Sequence, residues 1–269
     1  MPSSCSTSAD ACSDCGQCVV KKSGTVAKII DLGAVRLGSK AGVPPGVDSK
    51  MAAMIDHTLL KPEATREELA KVCQEAMQYG FATVCVNSSN IPYAAGLLKN
   101  SSVKPIAVVG FPLGAASTQA KVFESREAIR NGAEEIDMVI NLGALKDKDY
   151  QLVYDDILKV VEASRPKKVK VIIETSKLSD EEKVIACTLS KAANAAFVKT
   201  STGFAGGGAT VEDIELMRRV VGKDMEVKAS GGVKTTEDAK AMIEAGANRI
   251  GASASVAIVT GKKAKASGY

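Results

Sequence analysis

Residues 134–175, EEIDMVINLGALKDKDYQLVYDDILKVVEASRPKKVKVIIET, decide the predicted fold of this chain. The segment begins and ends with short apolar runs, EEIDMVIN and KVKVIIET, and residues 148–164 between them repeat apolar side chains at helical spacing. The apolar runs are continuous and do not alternate with polar residues, which is typical of strands buried on both faces of a parallel sheet. The segment therefore predicts a strand, a helix and a second, parallel strand.

The same unit recurs on both sides of this segment, from Met51 onward. The predicted strands are MAAMID, FATVCVN, KPIAVVGF, EEIDMVIN, KVKVIIET, AAFVKT, EVKASGG and NRIGAS. The predicted helices cover residues 65–79, 90–99, 117–131, 148–164, 179–192, 210–221 and 235–245, and a last helix starts near residue 253. Several helices begin on a Ser or Thr with a Glu nearby, as at Thr65, Ser179 and Thr236, which is the pattern of helix caps.

Eight strand–helix pairs are the number that closes a (β/α)8 TIM barrel, an α/β fold of about 250 residues. An open doubly wound sheet usually has fewer strands and a Gly-rich fingerprint after the first strand, which this sequence lacks. The chain has 269 residues. We therefore predict one barrel domain over residues 50–269, preceded by an N-terminal extension over residues 1–49.

The extension differs in composition from the predicted barrel. Residues 1–24 are rich in Ser, Ala, Asp and Cys without an apolar period, residues 25–37 have helical spacing, and residues 41–50 form a Gly/Pro-rich linker. Cys12, Cys15 and Cys18 have the spacing of iron–sulfur or zinc ligands, but the usual fourth ligand does not follow. A metal site, redox-sensitive thiols and a passive tail all stay open as interpretations of these cysteines.

Composition and charge exclude several kinds of partner. The formal net charge is +4, and no basic run is flanked by aromatic residues, so we expect no nucleic-acid partner. No stretch approaches the roughly 18 apolar residues that span a bilayer, and the N-terminus lacks the features of a secretory signal. Seven cysteines that are mostly reduced fit the cytosol, so we expect a cytoplasmic protein without a membrane partner.

Charged and polar side chains stand where several predicted strands end. They are Asp56, Asn87, Asp137, Lys199 and Lys228. The carboxyl ends of barrel strands carry the active sites of this fold, and a charge inside an apolar strand is costly unless another group stabilises it. We therefore expect these side chains to converge at the barrel mouth.

Lys199 and Lys228 occupy equivalent places on neighbouring predicted strands, which puts their ammonium groups about 5–7 Å apart. Like charges at that distance disfavour double protonation, and burial adds to the effect. An amine that loses its proton can attack a carbonyl and form an imine, and Asp137 could neutralise one lysine or transfer a proton. The alternative is structural: the lysine stems run along the barrel wall to solvent, and Asp137 forms an ion pair.

Glycine-rich pieces follow the last three predicted strands, as GFAGGG (203–208), SGGV (230–233) and GAS (251–253). Loops in these places often bind phosphate through backbone N–H groups. Tight turns also need glycine, so each piece alone is a weak signal. Together they favour a phosphorylated substrate.

Five segments resemble the deoxyribose-phosphate aldolase family: DHTLLKP (56–62), GFPLG (110–114), EIDMVIN (135–141), VKTSTGF (198–204) and KASGGV (228–233). The resemblance covers roughly residues 50–269 and implies a class I aldolase on a (β/α)8 barrel. Such an enzyme reversibly cleaves 2-deoxy-D-ribose 5-phosphate to D-glyceraldehyde 3-phosphate and acetaldehyde, a step of deoxyribonucleotide catabolism. It uses no cofactor. Whether the chain forms a homo-oligomer, as a dimer or a tetramer, stays open at the level of the sequence.

The resemblance also implies roles for individual residues. The Schiff-base lysine falls on Lys199, the second lysine on Lys228 and the proton-relay acid on Asp137, with Asp56 supporting the lysines. The substrate and phosphate contacts fall on Thr202, Gly203, Gly231, Gly232 and Ser253. Where family members can carry two serines, this chain has Ser253 and Ala254, so the contact there depends on backbone N–H. The terminal Tyr269 either assists proton transfer from a flexible tail or has no role.

A metal-dependent aldolase does not fit the sequence, because His57 is the only histidine and the barrel has no Cys pair at ligand spacing. We interpret His57 itself as structural. Two other functions stay open. One is a different imine-forming barrel, such as a transaldolase-like transferase, and the other is an idle barrel whose cysteine tail responds to metal or redox state.

Overall fold

The structure is a computed structural model that describes residue 44 and residues 46–261. The predicted helix at 25–37, the three cysteines Cys12, Cys15 and Cys18, and Tyr269 lie outside these residues. Those three predictions therefore stay predictions. The division of the chain at residue 49 stays a prediction as well. Within the described residues, no helix combines the length and the apolar character needed to cross a membrane.

Eight parallel strands close into a barrel in the order of the sequence, with β1 bonded to both β2 and β8. The predicted (β/α)8 TIM barrel is therefore confirmed. The strands are β1 (Ile55–Leu59), β2 (Thr83–Asn87), β3 (Lys104–Val109), β4 (Glu135–Val139), β5 (Lys168–Ile172), β6 (Phe197–Lys199), β7 (Glu226–Ser230) and β8 (Arg249–Ala252).

A short helix precedes β1, and the other helices follow strands on the outside of the barrel. They are α1 (Ser49–Ala52), α2 (Arg66–Tyr79), α3 (Ile91–Leu98), α4 (Thr118–Arg130), α5 (Leu142–Lys146), α6 (Tyr150–Ser164), α7 (Asp180–Ala192), α8 (Val211–Val221), α9 (Thr236–Glu244) and α10 (Ser255–Thr260). Short 3₁₀ turns occupy Ser88–Asn90 and Thr175–Lys177. Each predicted helix is present with ends shifted by about two residues or fewer, which is the usual uncertainty of helix ends. The short helices α1 and α5 were not predicted.

The predicted first strand, MAAMID, starts too early. Met51 and Ala52 belong to α1, whose N-cap Asp48 accepts hydrogen bonds from the backbone N–H groups of Lys50 and Met51. The strand itself begins at Ile55. The apolar residues are buried in helix and strand alike, so periodicity could not separate the two elements.

Side-chain caps fix where the helices begin. Thr65 and Ser179 form complete capping boxes with glutamates three residues later, as their sequence pattern indicates. Thr235 caps α9 in place of the predicted Thr236. The reason is that Asp238, three residues after Thr235, accepts the Thr235 backbone N–H and completes a box there.

The apolar core has two parts. The larger part fills the space between the outer faces of the strands and the helices. A smaller cluster lies inside the barrel and consists of Leu60, Cys85, Ile106 and Val108, with Phe111 packed against it. This inner cluster comes from β2, β3 and the loops after β1 and β3, and therefore gives one side of the interior an apolar wall.

Candidate active site

Charged side chains occupy inward positions of the barrel because residues of a strand alternate between its two faces. The strand registers place Asp137 of β4 beside Lys170 of β5, and Lys199 of β6 beside Lys228 of β7. Asp56 of β1 lies beside Gly251 of β8. All four predicted catalytic side chains, Asp56, Asp137, Lys199 and Lys228, therefore lie inside one barrel, and all are buried.

Asp137 lies at the centre of this cluster. Its Oδ2 accepts hydrogen bonds from Lys199 Nζ at 3.0 Å and from Lys228 Nζ at 2.8 Å. Its Oδ1 accepts from Lys170 Nζ at 2.9 Å. Burial alone would favour the protonated carboxyl, but the three lysines outweigh it and hold the pKa of Asp137 well below its ordinary value. Asp137 is thus an anion that touches three amines.

Asp56 pairs with cations on the opposite side of Lys228. Its Oδ2 lies 2.5 Å from Lys228 Nζ, and its Oδ1 accepts hydrogen bonds from Arg249 at 2.6 Å and from Thr83 Oγ1 at 2.7 Å. Burial favours the neutral acid, but Lys228 and Arg249 outweigh burial and lower the pKa of Asp56 to about 2. Lys228 is therefore held between two carboxylates, those of Asp56 and Asp137.

The two lysines of the predicted pair differ in their electrostatic surroundings. Burial is the largest cause that lowers the pKa of Lys199 below its ordinary value, and Lys228 adds to the effect against the opposing pull of Asp137. For Lys228, burial is outweighed by Asp137 and Asp56, which raise its pKa. The charge of Lys228 therefore lowers the pKa of Lys199, as the sequence suggested, but burial lowers it more.

The charges of the buried cluster explain which amine can lose its proton. Among the described residues, the cluster holds the carboxylates of Asp56, Glu135 and Asp137 and the basic groups of Lys170, Lys199, Lys228 and Arg249. Among these seven ion-paired groups, four cations would exceed three anions, and an unbalanced charge among buried groups is costly. Balance is reached when one amine is neutral. Lys199 is the lysine of this cluster with a lowered pKa, and it is 3% exposed whereas Lys170 and Lys228 are 0% exposed.

Sequence reasoning missed Lys170, Glu135 and Arg249, which complete this network. Lys170 Nζ lies 2.5 Å from Glu135, and Arg249 bridges Glu135 at 3.1 Å and Asp56 at 2.6 Å. The signal was present in the alternation of KVK at 168–170 and of EID at 135–137, which places the charged residues on one strand face. Burial opposes the charge on Lys170, but Asp137 and Asp56 outweigh it and raise its pKa.

The site is shaped on its other side by small and apolar residues. A side-chain carbon on Gly251 would lie only 3.0 Å from Cε of Lys228, so glycine at this position gives the lysine its room. Burial raises the pKa of the Cys85 thiol to about 11, so Cys85 acts as a small apolar residue of the inner wall. Phe111 and Phe204 meet edge to face, with ring centroids 5.3 Å apart, and link the loops after β3 and β6.

The predicted phosphate contacts all follow β6, β7 or β8. Thr202 is buried and bonds to Glu174, while Gly203 has a positive φ of 86° and open space around its Cα. Gly231 and Gly232 also have positive φ, at 82° and 79°, which glycine adopts without strain. Ser253 is exposed just before α10. The structure places these loops along one edge of the barrel mouth, and their contacts with a phosphate stay a prediction.

His57 points away from the charged cluster. Its Nε2 lies 2.8 Å from Glu75 Oε2 of α2, and its Nδ1 lies 2.9 Å from Ser255 Oγ of α10. The hydrogen bond with His57 lowers the pKa of Glu75. His57 therefore ties β1 to two outer helices, in keeping with a structural residue.

Known proteins match the chain over the barrel. The model of the DeoC/LacD family aldolases matches residues 50–263. A deoxyribose-phosphate aldolase of Clostridium perfringens is 60% identical over 214 residues, which are 79% of this chain and 96% of that protein. One from Halalkalibacterium halodurans is 60% identical over 219 residues, or 81% of this chain and 98% of that protein.

A solved structure shares the fold as well. The tetrameric deoxyribose phosphate aldolase of Aeropyrum pernix is 32% identical, with a TM-score of 0.74 over 79% of this chain and 91% of that one. The resemblance read from the five sequence segments is confirmed by these matches. The chain has the (β/α)8 barrel fold of the solved relative and therefore belongs to the DeoC/LacD family of aldolases, which are lyases.

Proposed function

We propose that this chain is a class I aldolase that reversibly cleaves 2-deoxy-D-ribose 5-phosphate to D-glyceraldehyde 3-phosphate and acetaldehyde through an imine on Lys199. One observation carries the proposal: Lys199 is a buried amine with a lowered pKa in a cluster whose charges balance when one amine is neutral. The names of the relatives at 60% identity support the choice of substrate.

The reaction begins when neutral Lys199 Nζ attacks the C1 aldehyde carbon of the open-chain sugar. Loss of water gives a protonated imine. A base then takes the proton of the C3 hydroxyl, the C2–C3 bond breaks, and its electron pair moves through C1 to the imine nitrogen. Glyceraldehyde 3-phosphate leaves with C3 as its aldehyde, and an enamine stays on Lys199.

The return of a proton to C2 of the enamine and hydrolysis of the imine release acetaldehyde and regenerate the lysine. Asp137 contacts both Lys199 and Lys228, so we assign it the relay of protons within the site. Lys228 keeps its proton because its pKa is raised, and it holds a positive charge beside the reacting amine. Asp56 orients Lys228 from the other side.

The phosphate is assigned to the loops after β6, β7 and β8, where backbone N–H groups of Gly203 and Gly232 are the proposed donors. Neither N–H has a hydrogen bond to another residue in the described part of the chain. Unpaired N–H groups at a strand–helix junction are suited to bind an anion. Thr202, Gly231 and Ser253 complete the proposed subsite.

The test is chemical trapping. The protein is incubated with acetaldehyde, reduced with borohydride and mapped by mass spectrometry. We expect one added ethyl group on Lys199, none in Lys199→Ala, and unchanged trapping in the control Lys177→Ala, which alters an exposed lysine near the site. Full activity of Lys199→Ala, or an absence of trapping in the wild-type protein, would overturn the mechanism. Cleavage of deoxyribose 5-phosphate with release of acetaldehyde separates this function from a transaldolase-like transfer.

We further propose that the protein works as a homo-oligomer in the cytoplasm. The solved relative of Aeropyrum pernix is tetrameric, and Phe123 on α4 and Leu113 after β3 are 69% and 74% exposed, which suits contacts between copies. Light scattering on the purified protein measures the mass in solution. A monomer at micromolar concentration would contradict the proposal.

A further inference from the structure

Glu174 is a buried carboxylate beside the active site that the proposed mechanism does not use. Glu174 follows β5 by two residues, so it continues the inward face that carries Lys170 and Ile172. It is 2% exposed. Its backbone is left-handed, with φ of 57° and ψ of 64°, a conformation that costs a residue with a side chain on the order of 1 kcal/mol. The fold thus retains an unfavourable conformation and a buried acid at one position.

The contacts of Glu174 lead directly to the loop after Lys199. Its Oε2 accepts two hydrogen bonds from Thr202, one from the backbone N–H at 3.1 Å and one from Oγ1 at 2.5 Å. Thr202 Oγ1 in turn accepts the backbone N–H of Phe204 at 3.1 Å. Both residues that flank Gly203 are therefore held by one chain of hydrogen bonds that starts at Glu174.

The other oxygen of Glu174, Oε1, is buried and has no hydrogen-bond partner in the described part of the chain. A carboxylate buried with one oxygen unpaired is costly, and a purely structural glutamate would be expected to use both oxygens. The strained backbone and the unpaired oxygen are two independent signs that the position serves function at the expense of stability.

We propose that Glu174 is a positioning residue that fixes the Thr202–Gly203–Phe204 turn, so that the Gly203 N–H faces the phosphate of the substrate. This inference rests on the proposed function, because it needs the phosphate subsite. Glu174 acts through Thr202. Loss of its carboxylate frees the turn, and the phosphate then has to order the loop when it binds, which weakens binding.

The test compares a phosphorylated with an unphosphorylated substrate. In Glu174→Ala we expect kcat/KM for 2-deoxyribose 5-phosphate to fall about tenfold or more, mainly through a higher KM, since charge-assisted hydrogen bonds are lost. Cleavage of 2-deoxyribose and acetaldehyde trapping on Lys199 should change less than about twofold. Inorganic phosphate, used as a competitive inhibitor of 2-deoxyribose 5-phosphate cleavage, should show an inhibition constant raised by a similar factor.

Two further variants keep the test decisive. Glu174→Gln retains an acceptor for Thr202 and should recover most of the lost preference for the phosphorylated substrate. Thr202→Val removes the hydroxyl from the same chain of hydrogen bonds while Glu174 stays. Because Thr202 also belongs to the proposed phosphate subsite, this variant tests the proposal through the double variant, which separates one shared chain of hydrogen bonds from two independent contacts. In the double variant Glu174→Ala/Thr202→Val, kcat/KM for 2-deoxyribose 5-phosphate should fall little further than in either single variant, because both changes break the same chain of hydrogen bonds.

Each outcome has a separate meaning. A parallel loss for both substrates in Glu174→Ala and Thr202→Val would overturn the inference and make Glu174 a support of the barrel. An unchanged ratio of the kcat/KM values for the two substrates in these variants would overturn it as well. Failure of the wild-type protein to form an imine on Lys199 would instead refute the proposed function.

Discussion

Replacement of Lys228 by methionine tests the electrostatic basis of the site. The change removes one cation and keeps a side chain of similar length in a position that is 0% exposed. Asp137 then keeps Lys170 and Lys199 as partners, and Asp56 keeps Arg249 and Thr83. Three basic groups now face three carboxylates, so charge balance requires Lys199 to hold its proton.

The magnitude follows from the geometry. Lys199 and Lys228 both contact Asp137 Oδ2, at 3.0 and 2.8 Å, so their nitrogens lie close together. Two unit charges about 5 Å apart at an effective dielectric constant of about 20 repel by about 3 kcal/mol. Loss of that repulsion favours the protonated form of Lys199 by a factor of about 100. Asp137 Oδ2 then contacts Lys199 without Lys228, and this ion pair favours the protonated form as well.

The assay is the rate of borohydride trapping with acetaldehyde as a function of pH. The pKa of Lys199 is lowered in the wild-type protein, so its neutral form gains population at a lower pH than that of an ordinary lysine. In Lys228→Met we expect trapping about 100-fold slower near neutral pH and restored as the pH rises. Lys240→Met, which changes an exposed lysine of α9, is the control. An unchanged pH profile in Lys228→Met, with folding intact, would refute the reasoning.

Two further predictions concern stability. In the wild-type protein the fully buried Lys121 lies 2.6 Å from Asp156, and Asp156→Ala removes this anion. Urea unfolding should show that Asp156→Ala lowers the free energy of unfolding by about 3–5 kcal/mol. The control Glu134→Ala, which breaks the exposed ion pair with Lys167, should lower it by less than about 1 kcal/mol. The pKa of Asp56 is lowered to about 2, so the stability that its charge contributes is present above its unfolded pKa of about 3.9 and is lost as the pH falls through about 2. The difference in unfolding free energy between wild type and Asp56→Asn should therefore shrink from pH about 5 to pH about 2, and a constant difference would contradict this assignment.

Most of the fold could be read from the sequence because local pattern and tertiary environment agree. Continuous apolar runs such as KPIAVVGF are typical of strands covered on both faces, and amphipathic stretches such as residues 148–164 cover them. The first strand was placed too early because Met51 and Ile55 are apolar in α1 and in β1 alike. Hydrophobicity reports burial, and it does not distinguish a buried helical turn from a buried strand.

The sequence also placed the four central side chains of the site, because a charge in an apolar strand is conspicuous. It did not identify Lys170, Glu135 or Arg249 as their partners, since Lys and Glu near strand ends are usually solvated. Glu174 was missed for the same reason, and its left-handed backbone leaves no trace in the residue type.

The sequence by itself determined the succession of strands and helices and the positions of Asp137, Lys199 and Lys228, because these depend on side-chain chemistry and on a period of two along a strand. Only the tertiary structure shows that the pKa of Lys199 is lowered while that of Lys228 is raised. That difference depends on the carboxylates that reach each amine from other strands: among the described residues, Lys228 is ion-paired with both Asp56 and Asp137, and Lys199 with Asp137 alone. Electrostatic energy depends on distances in space, and closure of the barrel brings together charges as far apart in the chain as Asp56 and Lys228.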